Sequence, residues 1–313
     1  MQDLLDIILT TSFAYSILRV STPLILAGMA AVISERAGVV NIAIEGMMLT
    51  SALCGVVISA FTQSWVAGLF AGTALSVLIS LLLAYFILNL KANNIMCGLA
   101  INAIAKGGTI LVLFLLTGNK GASTALRSMS IPHVDIPVIE NIPLIGEVIS
   151  GQNLLTYVAF ALVILMHVYI FKTRGGICIS AVGENPKAVD SVGISILRTR
   201  YRALLISGVF SGLAGVFLSM GYMNGFTANM TSGRGFIALA ANAMGQNTPF
   251  GTMIAALIFG AADSASNSLQ VLRVPSQFIQ MIPYATTILG ITLYSIQRVN
   301  REKRIKMALL KES

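Results

Sequence analysis

From Gly46 to Leu90 the chain carries not one Asp, Glu, Lys or Arg. A helix that spans a bilayer needs roughly 20 consecutive apolar residues, so this stretch is room for two spans. A break is expected near Gln63-Ser64-Trp65, with Trp65 as an interfacial anchor. The whole chain follows the same rule. Its 313 residues are 56% hydrophobic and 10% charged, whereas soluble domains carry about 25% charged residues. Such a composition predicts an all-α polytopic transmembrane bundle of about eight to ten spans, some of them discontinuous.

Further apolar segments fall at residues 7–34, interrupted by Arg19 and Pro23, and at 92–117, which contains Lys106. Others fall at 149–171, 203–221, 250–270 and 275–297. Residues 118–150 are polar at their start and punctuated by Pro132, Pro137 and Pro143; they are expected to form an extracytoplasmic loop. The first residues, Met1-Gln2-Asp3, lack the basic region of a cleaved signal peptide, so the first span is expected to be retained. Cys54, Cys97 and Cys178 show no paired spacing, and His133 and His167 lie far apart. Neither a disulfide nor a metal site is expected.

The net charge of +8 records topology, not nucleic-acid binding. Six Lys/Arg stand against two acids in an island at 172–202, and six more basic residues lie in the tail at 298–313. Loops of that kind face the cytoplasm and contact anionic lipid. Two cytoplasmic segments require an even number of crossings between them. Only three are obvious, so residues 233–248 must supply the fourth, although they are short and polar, within a segment that runs from 226 to 248. Broken backbone at membrane depth survives only where it is buried in protein or lines a cavity, which predicts a discontinuous segment beside the transport pathway. Residues 35–46 have a similar pattern about 200 residues earlier, which points to an internal repeat of the transporter kind.

Inside the island, Asn185 is suited to cap a short helix, Pro186 to its first turn and Gly193 to its exit. Ala188, Val189 and Val192 give it an apolar face, while Glu184, Lys187 and Asp190 are placed to contact a partner. A rigid helix between two spans is a handle that a cytosolic partner can push.

Ionisable residues at membrane depth are functional candidates because they are expensive there. Glu45, Lys106 and Asp263 qualify, either around a polar path or in buried pairs such as Glu45 with Lys106. Asn41, Asn102, Asn242, Gln246 and Asn247 either hydrogen-bond a solute or join helices. The run from Gly208 to Gly215 reads as close helix packing. No GxxxxGK[ST] phosphate loop occurs, so the chain is not an ATPase by itself. No triad or HExxH arrangement supports an intramembrane enzyme.

The stretch from Glu35 to Met48 (ERAGVVNIAIEGMM) and the stretch from Gly183 to Ala188 (GENPKA), followed by Gly193-Ile194, resemble the two signatures of a family of permease subunits. These belong to bacterial ABC importers for simple sugars, nucleosides and branched-chain amino acids. The likeness covers about residues 20–295, and the form from Gly233 to Gly245 (GRGFIALAANAMG) is most similar to the nucleoside branch, which works with basic-membrane-protein-type binding lipoproteins. The resemblance implies one transmembrane permease domain over 1–313 in a bacterial plasma membrane, with its C-terminus cytoplasmic. It implies a second permease subunit, a different chain, and an extracytoplasmic binding lipoprotein. It also implies ATPase subunits that bind ATP and Mg and dock on residues 183–193; the chain itself holds no cofactor. A simple-sugar permease is the alternative within the class. An ion-coupled secondary transporter using Glu45 or Asp263, or a membrane scaffold, is the alternative outside it.

Overall fold

The computed structural model describes residues 11–135 and 145–269, with residues 285, 288, 290 and 292. The expected span at 275–297 lies almost wholly outside the described residues, and the basic tail at 298–313 lies entirely outside them. Six described helices are long and apolar enough to cross a membrane.

Helix α1 (Thr11–Arg36) forms the centre, and every residue from Val20 to Ser34 is buried. The expected interruption is not there: α1 runs through Arg19 and Pro23 as one helix. An interior proline costs about 3 kcal/mol, which packing on several sides of α1 offsets. Arg19 donates to the Tyr222 carbonyl at 2.7 Å and lies 4.8 Å above the Tyr222 ring, so its charge has a partner inside the protein.

The uncharged stretch gives α2 (Ile44–Thr62) and α3 (Trp65–Ala84), which continues through a π turn at Tyr85–Asn89. The break falls where expected: Gln63 takes φ +51° and the Ser64 hydroxyl caps the Ala67 N–H. Helix α4 (Asn94–Thr117), capped by Asn93, leans mainly on α2. A short antiparallel pair, β1 (His133–Val134) with β2 (Gln152–Asn153), and α5 (Ile145–Ile149) precede α6 (Leu154–Lys172). The island forms α7 (Arg174–Glu184) and α8 (Pro186–Ser191). Helix α9 (Ile196–Val216) follows and ends in a π turn at Phe217–Tyr222.

Small residues bring α9 against α2 and α3. A Cβ on Gly212 would lie 2.8 Å from Thr73 Cα, and one on Gly215 would collide with the Met48 carbonyl oxygen. Ser76 donates to the Gly208 carbonyl across this contact at 2.7 Å. Lipid offers no hydrophobic drive for helix pairing, so close packing and such hydrogen bonds hold the pair together.

The chain has two distinct ends. Helices α7 and α8 and the end of α1 share one. The β pair and the stretch around Ala122–Ser123 cover the other, where Ala122 bridges Thr227 and Ile131 N–H donates to the Met220 carbonyl. From that far end the chain turns back through residues 223–233 into α10 (Arg234–Met244), a helix of 11 residues, then into α11 (Pro249–Leu269) beside α1. The expected broken segment is therefore a stretch of turns followed by a half-length helix.

Candidate functional site: a buried clamp, a protruding helix and a polar cavity

Between α1 and α2 the chain is not helical; Gly38 and Val40 are exposed, while Ala37, Val39, Asn41 and Ala43 are buried in the bundle. Their backbone groups are met by side chains. Asn41 accepts from the Ala43 N–H at 3.1 Å, and Asn102 on α4 both donates to the Ile42 carbonyl at 2.9 Å and accepts from the Gly46 N–H at 2.7 Å. Asn41 also donates to Ser207 on α9, whose hydroxyl donates to the Ala30 carbonyl. Both asparagines are buried and act as internal supports for this bent backbone.

This segment holds α10 at both of its ends. At the N-terminus the Glu45 carboxylate accepts from the Thr231 hydroxyl, the Gly233 N–H and the Gly235 N–H, each at 2.7 Å. A Cβ on Gly235 would lie 2.6 Å from the Glu45 nitrogen, so glycine alone allows the approach. The carboxylate satisfies N–H groups that a helix start leaves without partners, and its charge suits the positive end of the helix dipole. At the C-terminus Asn242 donates to Glu35 and to Asn247 Oδ1, and its own oxygen accepts from Thr252. Arg36 donates to the Asn247 carbonyl at 2.7 Å and lies 4.8 Å above the Phe171 ring. The two segments thus run antiparallel, Glu35 facing Asn242 and Glu45 facing Gly233–Gly235. The Glu45–Lys106 pair is not formed, because both Glu45 oxygens are already engaged.

The island touches the same clamp. Arg36 also reaches Ser180 on α7 at 3.3 Å, and Arg200 donates to the Ala37 carbonyl. Gly38, at φ +75°, faces Gly183, where any Cβ would collide with the Arg36 carbonyl oxygen. Helix α8 starts as expected: Asn185 accepts from the Ala188 N–H at 3.1 Å, Pro186 occupies the first turn, and Gly193 takes φ +80°. Its apolar face divides. Val189 is buried and holds α8 to the bundle, while Ala188 and Val192 are exposed, Val192 to 71%. Helical geometry allows this: positions 188 and 192 lie about 40° apart on one face, and 189 is turned about 100° from 188 and about 60° from 192. Glu184, Lys187 and Asp190 are exposed around that outward face.

A polar cavity of about 770 Å³ opens beside the start of α10, lined by Lys106, Tyr222, Asn229, Arg234, Phe236 and Asp263 among others. Asp263 pairs with Arg234 at 3.0 Å. Of the residues singled out for a polar path, Asp263 and Lys106 line this cavity. Asn41, Glu45, Asn102 and Asn242 are buried in the clamp. Gln246 and Asn247 form the tight left-handed turn between α10 and α11 at the island end, Gln246 exposed. Arg234, Glu35 and Arg36 were not singled out as site residues. Their signal was a basic residue close to glycine at the start of each of the two similar segments, Arg36 before Gly38 and Arg234 between Gly233 and Gly235.

Comparison with known proteins finds relatives over most of the chain. The chain is 34% identical over 286 residues to the nucleoside ABC transporter permease protein NupC of Lactococcus lactis, covering 88% of this chain and 89% of that one. It is 36% identical over 301 residues to the guanosine ABC transporter permease protein NupQ of Bacillus subtilis, covering 92% of each. It is 31% identical to the putative glucose ABC transporter permease protein TsgC13 of Haloferax volcanii, covering 96% of this chain and 97% of that one. Among solved structures, PsaBC from Streptococcus pneumoniae in complex with Fab shares the fold, with TM-score 0.51, 10% identity and coverage of 94% and 93%. Matched by its family model from residue 13 to residue 295, the chain belongs to the branched-chain amino acid transport system / permease component family.

Proposed function

We propose that this permease is a membrane-spanning subunit of an ATP-driven importer of nucleosides, and that α8 is the handle its ATPase partner moves. The observation that carries the reading is the contact path from α8 to the broken helix. Helix α8 follows α7 after the single residue Asn185, α7 seats Gly183 and Ser180 on the Arg36–Gly38 turn, and that turn with Glu45 grips α10 at both ends. A displacement at the island end therefore reaches α10 through short, directional contacts. In this reading the island is cytoplasmic and the face at Ala188 and Val192 sits in an ATPase cleft, where ATP and Mg are bound. A second permease subunit completes the core, and a binding lipoprotein delivers solute from outside. Access switches by rigid-body rocking around a fixed site.

The nucleoside assignment rests on the two relatives named for nucleoside and guanosine transport. A sugar is the second reading, favoured by the glucose-named relative. An ion-coupled transporter fits less well, because its two candidate carboxylates are engaged, Glu45 by three donors and Asp263 by Arg234. The test is recovery of the tagged complex in mild detergent, with uptake of labelled guanosine measured in cells. An ATPase subunit should be recovered with the intact chain and lost when 183–193 is replaced by a flexible linker. Recovery of the permease alone, with ion-driven uptake surviving in liposomes, would overturn the proposal.

A further inference from the structure

Helices α3 and α4 both lean on α2 and barely meet each other. A groove of about 410 Å³ runs between them, floored by α2. Its walls are aliphatic, with Leu53 and Val57 on α2, Leu75 and Ile79 on α3, and Ile101 and Val112 on α4. Two hydroxyls border it, and both are turned back on their own helix. Thr50 donates to the Gly46 carbonyl at 2.8 Å and Thr109 to the Ala105 carbonyl at 2.7 Å. Walls of this kind do not hold water, which needs several polar partners. A Cβ on Gly108 would meet nothing within 4 Å, so glycine keeps the groove open along α4.

The groove and the polar cavity lie on opposite flanks of α4. Ile101, Ala105, Gly108 and Val112 form one strip at helical spacing, and Lys106 is turned about 130° from the middle of that strip. A charge facing lipid at this depth is costly, so the Lys106 flank is the one turned to protein or water. The groove flank is then the one turned to the bilayer, and its rim residues Leu82, Ile104 and Val112 are exposed. The dimensions select the occupant. From Ile101 to Val112 the groove follows α4 for about 16 Å, half of the ~30 Å hydrocarbon core and so the depth of one leaflet. A volume of about 410 Å³ over that length gives a mean cross-section on the order of 25 Å². A helix with its side chains is about 10–12 Å across, or roughly 80–110 Å², and does not fit. One extended hydrocarbon chain, about 4–5 Å wide at van der Waals contact, does.

We propose that this groove holds one acyl chain of a membrane phospholipid as part of the folded protein, and that the chain buttresses α4 against α2. Lipid offers no hydrophobic drive for such binding; close contact with three helices supplies it. The buttress lies beside Asn102, whose bonds to the Ile42 carbonyl and the Gly46 N–H support the bent backbone between α1 and α2. The site is independent of which solute the permease carries.

The test is native mass spectrometry of the assembled complex, taken from the cell membrane in mild detergent and washed free of loosely held lipid. Gly108→Phe fills the groove from α4, and Cys54→Phe fills it from α2, so that one can fail to assemble without loss of the test. Gly107→Phe adds the same ring to the same helix outside the groove, where a Cβ also meets nothing within 4 Å. A bound phospholipid should stay with the native complex and with Gly107→Phe, and be lost from Gly108→Phe and Cys54→Phe. Phosphatidylglycerol carrying a diazirine at the middle of one chain should crosslink to residues 50–58 or 101–112 of the native complex. A native complex free of lipid, retention by both groove-filling variants, equal loss from Gly107→Phe, or crosslinks in neither segment would overturn the proposal. Loss of the second permease subunit from both groove-filling variants, with no lipid on the native complex, would give the groove to that subunit instead.

Discussion

Glu45 gathers three donors from one segment on a carboxylate that water does not reach. Charge-assisted bonds of this kind are about twice as strong as neutral ones, and removing the acceptor leaves each donor buried and unmet. Glu45→Ala is expected to cost on the order of 3–5 kcal/mol, read as a large fall in the thermal midpoint of the detergent-purified complex. Glu45→Gln keeps the volume and an acceptor oxygen and should fall less. Equal midpoints for all three proteins would remove Glu45 from the clamp. The sequence marked Glu45 as a costly residue at membrane depth but left its partner open, with Lys106 as the candidate. The true partners are two backbone N–H groups and a hydroxyl some 190 residues away. Backbone donors carry no signature in a sequence, so hydropathy alone could not find them.

At the scale of elements, α8 shows what local rules reach and what they miss. Its cap, its proline and its left-handed exit were legible because each is a property of one residue and its neighbours. Which apolar side chain faces inward was not, because a six-residue helix has too few positions to define its buried side. The structure turns Val189 in and leaves Ala188 and Val192 out. Ala188→Asp and Val192→Asp should therefore lower ATPase recovery while the permease stays at its normal level in the membrane. Val189→Asp buries a charge and should lower the level of the permease itself. If all three act alike, the outward face is not the docking face. The joint between α7 and α1 gives a second contrast. Gly183→Ala collides with the Arg36 carbonyl, whereas Gly193→Ala meets nothing within 4 Å and bears only the strain of φ +80°, about 1–2 kcal/mol. Uptake per assembled complex should fall much further for Gly183→Ala than for Gly193→Ala.

For the whole molecule, the long helices were legible from hydropathy, because apolar runs act over entire segments. What charge counting supplied only by elimination was the expectation of a fourth crossing within 226–248. Helix α10 is 11 residues, about 16 Å at 1.5 Å per residue, half of the ~30 Å hydrocarbon core. It reaches across only with the turns from Met223 to Gly233, which meet the far-end stretch at Ala122 and Ser123, while its other end meets Glu35 at the island end. No window of hydropathy detects such a crossing, since its polar groups are met by Glu45, Glu35 and Arg36 rather than by apolar lipid contacts. The consequence is a sidedness pattern. In intact cells whose three native cysteines are replaced, Ser130→Cys, at the far end, should react with a membrane-impermeant thiol reagent. Ser191→Cys, on α8, should react only after permeabilisation. An epitope placed after Ser313 should behave like Ser191→Cys, because α9, the 223–248 segment, α11 and the span at 275–297 would make four crossings between island and tail. An epitope accessible from outside, with Ser191→Cys still protected, would mean an odd number of crossings and would remove one of these four from the membrane path.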